Sequence, residues 1–319
     1  MSKLVCMGEL LIDFQSKGIA SLKNTDEFVK KAGGAPANAC VQAKRLGCDC
    51  VYLSQVGDDA FGDFLIDTLN SEGINTEFIH KNADYDTSLA FVSFGPGGER
   101  QFAFYRKTAA DLYFTPQQFE RLVFSRGDVF EFGSVALSTE ESRAAHDYVI
   151  DKAKAAGALV CFDPNLRFNL WKDRFELKKV VLCYAAKADV IKVGDDELAF
   201  ITGESDMKAG AKALLELGVK MLAVTRGKDG AKLYLSDGRT FDCKGFKVKA
   251  VDTTGAGDSF FGGLIAELIR LGANTGNIVS EFDYDQILEF ACKCGSYTAT
   301  GYGAIAAMGN RQNILKVGK

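Results

Sequence analysis

The chain has 319 residues, 47% of them hydrophobic and 25% charged, with a formal net charge of −4. That is long enough to bury a core that can hold a rigid site. It carries no basic block that would leave a footprint for nucleic acid, and no apolar run near the ~18 residues of a membrane span. The N-terminus shows no signal-peptide pattern, so the expected compartment is the cytoplasm.

From the N-terminus, residues 3–7 predict a short apolar strand, and Gly8-Glu9 opens a loop into Leu10-Leu11-Ile12-Asp13-Phe14. The position after this apolar run suggests that Asp13 lies near the carboxyl end of a strand, where open parallel sheets bind ligands. A loop or capping aspartate fits the same pattern. Residues 15–31 lack helical period and predict an excursion from the main sheet. Gly33-Gly34-Ala35-Pro36-Ala37-Asn38 ends it. Pro36 is preset for a first helical turn, and the helix runs to Leu46 before stopping at Gly47. Two glycines before a helix let backbone approach a ligand closely.

Strand, helix and strand follow at 50–56, 59–72 and 76–80. Segments 88–94 and 100–106 predict a hairpin around Gly95-Pro96-Gly97-Gly98, joining 15–31 in a small separate sheet. From Val129 the alternation is regular. Strands are expected at 129–132, 159–163, 190–193 and 221–225, with helices at 140–155, 175–186, 197–201 and 207–217. This predicts an α/β fold, a parallel sheet covered on both faces.

The loops after these strands carry polar residues. Asp163-Pro164-Asn165-Leu166-Arg167 sets an acid, an amide and a guanidinium just past one strand. Thr225-Arg226-Gly227-Lys228-Asp229-Gly230 follows another. Residues 245–251 alternate apolar and polar, as a strand would. They lead into Asp252-Thr253-Thr254-Gly255-Ala256-Gly257-Asp258, followed by an almost wholly apolar helical stretch. Gly255 and Gly257 therefore fall at a helix N-terminus, where unpaired N–H groups and the dipole attract an anion. Asp258 beside such a hole suits a proton acceptor in phosphoryl transfer; a helix cap is the alternative.

Cys292 and Cys294 on an apolar helical pattern, with Cys48 and Cys50, read as buried thiols. The two histidines, His80 and His146, are too few for a multi-histidine metal site or a His-dependent triad. No Walker A or dinucleotide fingerprint occurs.

The run Asp252–Asp258 resembles the second signature of the PfkB (ribokinase-like) carbohydrate kinases, and Gly33-Gly34…Asn38 resembles the first. The resemblance covers nearly the whole chain. It implies a single ribokinase-like kinase domain over 1–319: a three-layer α/β/α fold with a mostly parallel sheet. A β-sheet lid would be formed by 15–31 and 88–106, and would pair with a second subunit in a homodimer. Segments 8–14, 104–106 with Ala110-Asp111, and 163–167 with Leu170-Trp171 are most similar to fructokinases. The implied reaction moves the ATP γ-phosphoryl group to the 6-hydroxyl of fructose. Asp258 is then the base, and Gly255, Ala256 and Gly257 hold the developing charge. Asp13, Gly33, Gly34, Asn38, Arg106, Asn165 and Arg167 would contact the sugar. Lys192, Thr225, Arg226, Gly227, Gly230, Gly255, Gly257 and Gly303 would contact ATP. Glu197 would hold Mg²⁺ through water, although Gly194 replaces the Asn of the family's Asn-x-x-Glu motif. Asp252 and Thr254 are candidates for K⁺. A 2-keto-3-deoxygluconate kinase, a nucleoside kinase and a non-catalytic sugar-binding regulator are the alternatives.

Overall fold

The computed structural model describes residues 2–95 and 100–318. In chain order the N-terminal half comprises β1 (Lys3–Met7), β2 (Leu11–Ile19), β3 (Phe28–Gly33), α1 (Ala35–Arg45), β4 (Asp49–Gly57), α2 (Ala60–Ser71), β5 (Ile79–Asn82), β6 (Ser88–Phe94) and β7 (Arg100–Tyr105). Then come β8 (Val129–Gly133), α3 (Glu140–Ala155), β9 (Leu159–Asp163), α4 (Arg174–Ala185), β10 (Val190–Gly194), α5 (Asp195–Thr202), α6 (Met207–Leu215), β11 (Met221–Thr225), β12 (Ala231–Leu235) and β13 (Thr240–Cys243). The chain closes on α7 (Ala256–Arg270), α8 (Tyr284–Thr298) and two single turns, α9 (Ala304–Ala307) and α10 (Arg311–Ile314).

Nine strands form one sheet in the order β13-β12-β11-β10-β9-β8-β1-β4-β5. Pairing is parallel from β5 to β11, and β12 and β13 are antiparallel additions at one edge. The central strands are apolar on both faces because both are covered. Leu4 and Cys6 pack with α1, α7 and α8, while Val5 and Met7 pack with α3 and α4 on the other side. Among the described residues no helix is long and apolar enough to cross a membrane.

The second sheet, β3-β2-β6-β7, stands apart from the first. Its register puts Asp13, Lys31, Ala90 and Phe104 on one face and Phe14, Lys30, Phe91 and Ala103 on the other. The second face packs on α2, where Phe14 meets Phe61 edge-on and Lys30 lies over Phe64. Asp59 caps α2 through Phe61 and Gly62 and also binds the Thr87 backbone and hydroxyl. One carboxylate thus ties the helix to the root of β6.

Three expectations change. Asp13 lies inside β2 of the small sheet, not at the end of a main-sheet strand: the chain leaves β1 at Met7 and re-enters extended structure at Leu11. Residues 245–251 form no strand. Gly245 and Gly230 are pressed together, since a Cβ on Gly245 would overlap the Lys228 carbonyl. The alternation there comes from packing against a pocket instead of a neighbouring strand. The strand expected at 76–80 is shifted to β5, with only a bridge from Asn75 to Val51 before it. The turn expected at 95–98 lies, but for Gly95, outside the described residues.

Candidate active site

The site is built on two helix starts pressed together. Gly255 caps α7 in the left-handed region at φ 75°. A Cβ there would meet the Ala304 Cβ at 2.5 Å, so both conformation and space demand glycine. Gly34 precedes α1 at φ 119°, and any side chain on it would strike the Glu9 carbonyl. The two helices then cross closely because Gly262 of α7 faces the Ala39 carbonyl of α1. A buried chain of hydrogen bonds fixes the crossing. The Thr298 hydroxyl donates to Ser259 (2.8 Å), Ser259 to Gln42 (2.8 Å), and the Gln42 amide to the Gly309 carbonyl (3.0 Å).

This crossing brings Asn38 and Asp258 together. The Asn38 amide donates to Asp258 Oδ2 at 2.7 Å, beside the α7 N-terminus, where the Gly255 and Gly257 N–H groups have no helical partner and the Ala256 N–H turns to the Thr253 carbonyl (3.3 Å). Burial raises the Asp258 carboxyl above its ordinary range, opposed by Lys192, the Asn38 bond and Arg167.

Below the hole lies Lys192 of β10. It is buried, and its ammonium donates to Asp163 Oδ2 at 2.9 Å. A Cβ on Gly257 would come within 3.1 Å of that ammonium. Burial works to discharge Lys192, but Asp163, Glu197 and Asp258 outweigh it and hold it charged. Asp163 itself is pushed up by burial and by Glu197 and Asp258, against the pull of Lys192.

Glu197 caps α5 and binds the preceding loop, accepting from Gly194 at 2.8 Å and Leu166 at 2.6 Å. It therefore positions the 163–167 loop. Within that loop Asn165 is the one described non-glycine residue with positive φ, 43°. Arg167 is exposed and close enough to Asp13 and Asp258 to act on both charges.

Asp13 faces this cleft from β2, with its carboxylate over Gly33, where a Cβ would collide with it. Burial pushes it up to about 6, Arg167 and Lys31 pull it down, and Asp258 and Asp252 add to the rise. Arg106 takes a different place from the one expected over a sugar. Its guanidinium is buried 3.1 Å from the equally buried Asp111. Glu9, which binds the Ala35 N–H at 2.9 Å, is pushed up to about 7 by burial, with Arg106 opposing.

A cavity of about 570 Å³ adjoins α7, lined by Thr225, Gly227, Gly230, Phe246, Val248, Gly257, Cys292 and Ala299 among others. It gathers four residues expected to contact ATP, Thr225, Gly227, Gly230 and Gly257, around the N-terminus of α7. Arg226 is turned away to Asp242 and the Cys243 carbonyl. Gly303 sits beyond the lining and donates to Asp252 Oδ2 at 2.9 Å, while Asp252 Oδ1 accepts the Thr254 N–H at 2.9 Å and hydroxyl at 2.6 Å. A larger cavity, about 1070 Å³, lies on the opposite face of the small sheet among Phe28, Phe61, Phe91 and Tyr105, away from Asp258. Cys48, Cys50, Cys292 and Cys294 are buried thiols, each raised in pKa.

Sequence reasoning overlooked Lys31 and Glu9 as cleft residues and gave Asp163 no contact. Asp163 was visible as an acid ending a strand. Lys31 could have been found only by registering 28–33 against 11–16, which places it opposite Asp13.

A glycine-built anion hole, an adjacent half-buried carboxylate and a neighbouring pocket define a phosphoryl-transfer site on an α/β scaffold. The family described as pfkB family carbohydrate kinase matches residues 1–311, and the chain belongs to it. Among curated relatives, fructokinase-2 of Solanum lycopersicum is 39% identical over 314 residues, 98% of this chain and 94% of the relative. A double mutant of fructokinase from Vibrio cholerae O395, in fructose-, ADP- and potassium-bound form, superposes with a TM-score of 0.89 at 30% identity, covering 100% of this chain and 99% of the other. Aminoimidazole riboside kinase from Salmonella enterica, complexed with aminoimidazole riboside and an ATP analogue, gives 0.85 at 29% identity, covering 98% and 99%.

Proposed function

We propose that the chain is a fructokinase. The fructose 6-hydroxyl oxygen attacks the γ-phosphorus of ATP, and the bond to the β–γ bridging oxygen breaks with its electron pair leaving on ADP. The hydroxyl proton passes to Asp258. The observation that carries this reading is Asp258, hydrogen-bonded to Asn38 at the edge of the Gly255–Gly257 hole. A raised carboxyl is a better proton acceptor than an exposed aspartate. The hole's N–H groups supply fixed charge stabilisation where the transferring oxygens develop charge.

Asp13, Gly33, Gly34, Asn38, Asn165 and Arg167 bind the sugar in this reading, and Arg106 supports the floor through Asp111 and Glu9. ATP occupies the cavity of Thr225, Gly227, Gly230 and Gly257, with its phosphates directed to the α7 N-terminus and Lys192. Arg226 and Gly303 shape the surrounding loops. The residues fit a water-held Mg²⁺: each Glu197 oxygen accepts one N–H and keeps a lone pair for water. Asp252 and Thr254 would organise the loop holding a K⁺. Bound, these ions neutralise phosphate charge.

The lid favours a homodimer. Ile19, Val29, Phe102 and Tyr105 leave large apolar area exposed on its strands, and such surfaces are ordinarily covered. Nine free cysteines suit the reducing cytoplasm.

The test is an acceptor panel with ATP and Mg²⁺, comparing kcat/KM. Fructose should lead. A tenfold advantage (~1.4 kcal/mol) for 2-keto-3-deoxygluconate or a nucleoside would replace fructose as the acceptor.

A further inference from the structure

The cleft face of the lid carries a lysine that makes no ion pair among the described residues. Lys31 of β3 is half-buried on the cleft face, opposite Asp13 in the β2–β3 register. Among the described residues its ammonium makes no hydrogen bond or ion pair, although its charge is felt at Asp13. It reaches across the cleft to the body: a Cβ on Gly303 would sit 2.6 Å from that ammonium. The next residue, Ala304, is the one packed on Gly255 at the anion hole. Lys31 therefore ends at the seam between the Asp13 side of the cleft and the Gly255–Gly257 side.

A neutral sugar gives a half-buried ammonium at this seam little to bind. The group that crosses the seam during reaction is the phosphoryl, carrying charge on three equatorial oxygens. Its other protein donors, the α7 N–H groups and Lys192, all lie on the body side. We propose that Lys31 is a catalytic residue that binds the transferred phosphoryl group from the lid side, in transit and on the product. As oxygen O6 bonds to phosphorus and the bridging oxygen departs on ADP, the ammonium follows the phosphoryl oxygens and stays with the phosphorylated sugar. The charge belongs to the product phosphate, so it distinguishes phosphorylated from free sugar and leaves ADP alone.

This rests on the fructokinase reading, and calorimetric titration separates the two. The wild-type protein is titrated with fructose, with ADP and with fructose phosphorylated at O6, and Lys31→Met and Lys31→Arg follow. Lys31→Met should weaken the phosphorylated sugar at least tenfold, leave fructose and ADP within twofold, and lower kcat by about 10- to 100-fold. Lys31→Arg should restore most of both losses. Equal weakening of fructose and its phosphate makes Lys31 a sugar-hydroxyl contact and overturns the proposal. So does weakening of ADP, or unchanged binding of the phosphate. Should the methionine variant fail to fold, Lys31→Gln gives the same reading. Wild-type protein that ignores fructose altogether sinks the acceptor assignment instead.

Discussion

On the body side of the cleft, the groups assigned to the chemistry hang on one half-buried helix start and the buried strand beneath it. Asp258, the Gly255–Gly257 hole and Lys192 are held by the Asn38 and Asp163 bonds, and α7 is locked to α1 and α8 by Gln42, Ser259 and Thr298. On the lid side, Asp13 and Lys31 project from two strands of a four-stranded sheet whose outer residues are exposed: Tyr105 is 66% and Phe102 44% accessible. Buried polar networks of the first kind allow one arrangement. Under the proposed function, proton transfer and the anion hole belong to the body, while acceptor recognition and the Lys31 contact to the phosphoryl group belong to the lid.

The largest expected effect falls on the body. Lys192→Met leaves Asp163 buried without its partner, which costs about 3–5 kcal/mol of stability. Asp163 is already raised in the folded protein and would rise further. A raised carboxyl contributes stability that is full below its unfolded pKa and lost as pH rises through the folded value, so the variant should be weakest at pH 8 and recover towards pH 5. Thermal denaturation across that range checks it, and the Asp163→Asn/Lys192→Met pair should remove the pH dependence. A flat profile for the single variant would mean the pair is not an ion pair in solution.

Asp13→Asn breaks the comparison from the lid. Loss of a charged hydrogen bond, ~1.5–3 kcal/mol, should raise the fructose KM roughly 10- to 100-fold with a smaller change in kcat. The unliganded protein should gain stability at the same time. Asp13 titrates at about 6 folded against 3.8 as a free group, so its contribution is full below pH 4 and lost through pH 6. An amide carries no such loss, and the variant should be the more stable at pH 8 by up to roughly 2–3 kcal/mol. A variant less stable at pH 8 would show that Arg167 and Lys31 outweigh the burial of Asp13.

What could be read beforehand divides along the same line. The α7 start was legible because a glycine-bearing loop, a first-turn acid and an apolar helix are contiguous, and local physics joins them. The parallel strands were legible because burial on both faces makes them uniformly apolar. In the lid half the small sheet was legible from 15–31 and 88–106, but the partners on its cleft face were not. Asp13 and Lys31 are 18 positions apart and meet only through an antiparallel register, while Arg106 was expected over the sugar and lies against Asp111. Residues 245–251 misled for a related reason: alternation reports one-sided packing, and a pocket wall supplies that as well as a sheet does.

The smallest effect concerns assembly. Tyr105→Asp places a charge on the exposed lid and should raise the dimer dissociation constant at least tenfold while changing the body-side steps little. Light scattering over a concentration series reads this. Wild-type protein that is monomeric at micromolar concentration would end the lid-dimer reading.

The claim that the body carries the chemistry is tested most directly by Asp258→Asn, measuring kcat alongside fructose and ADP binding. The amide keeps the size and the capping ability, but loses the charge and the proton-accepting role. The account predicts a fall in kcat of at least ~10²-fold, with both ligands bound within a few-fold of wild type. Near-normal turnover would reduce Asp258 to a helix cap and move the base elsewhere.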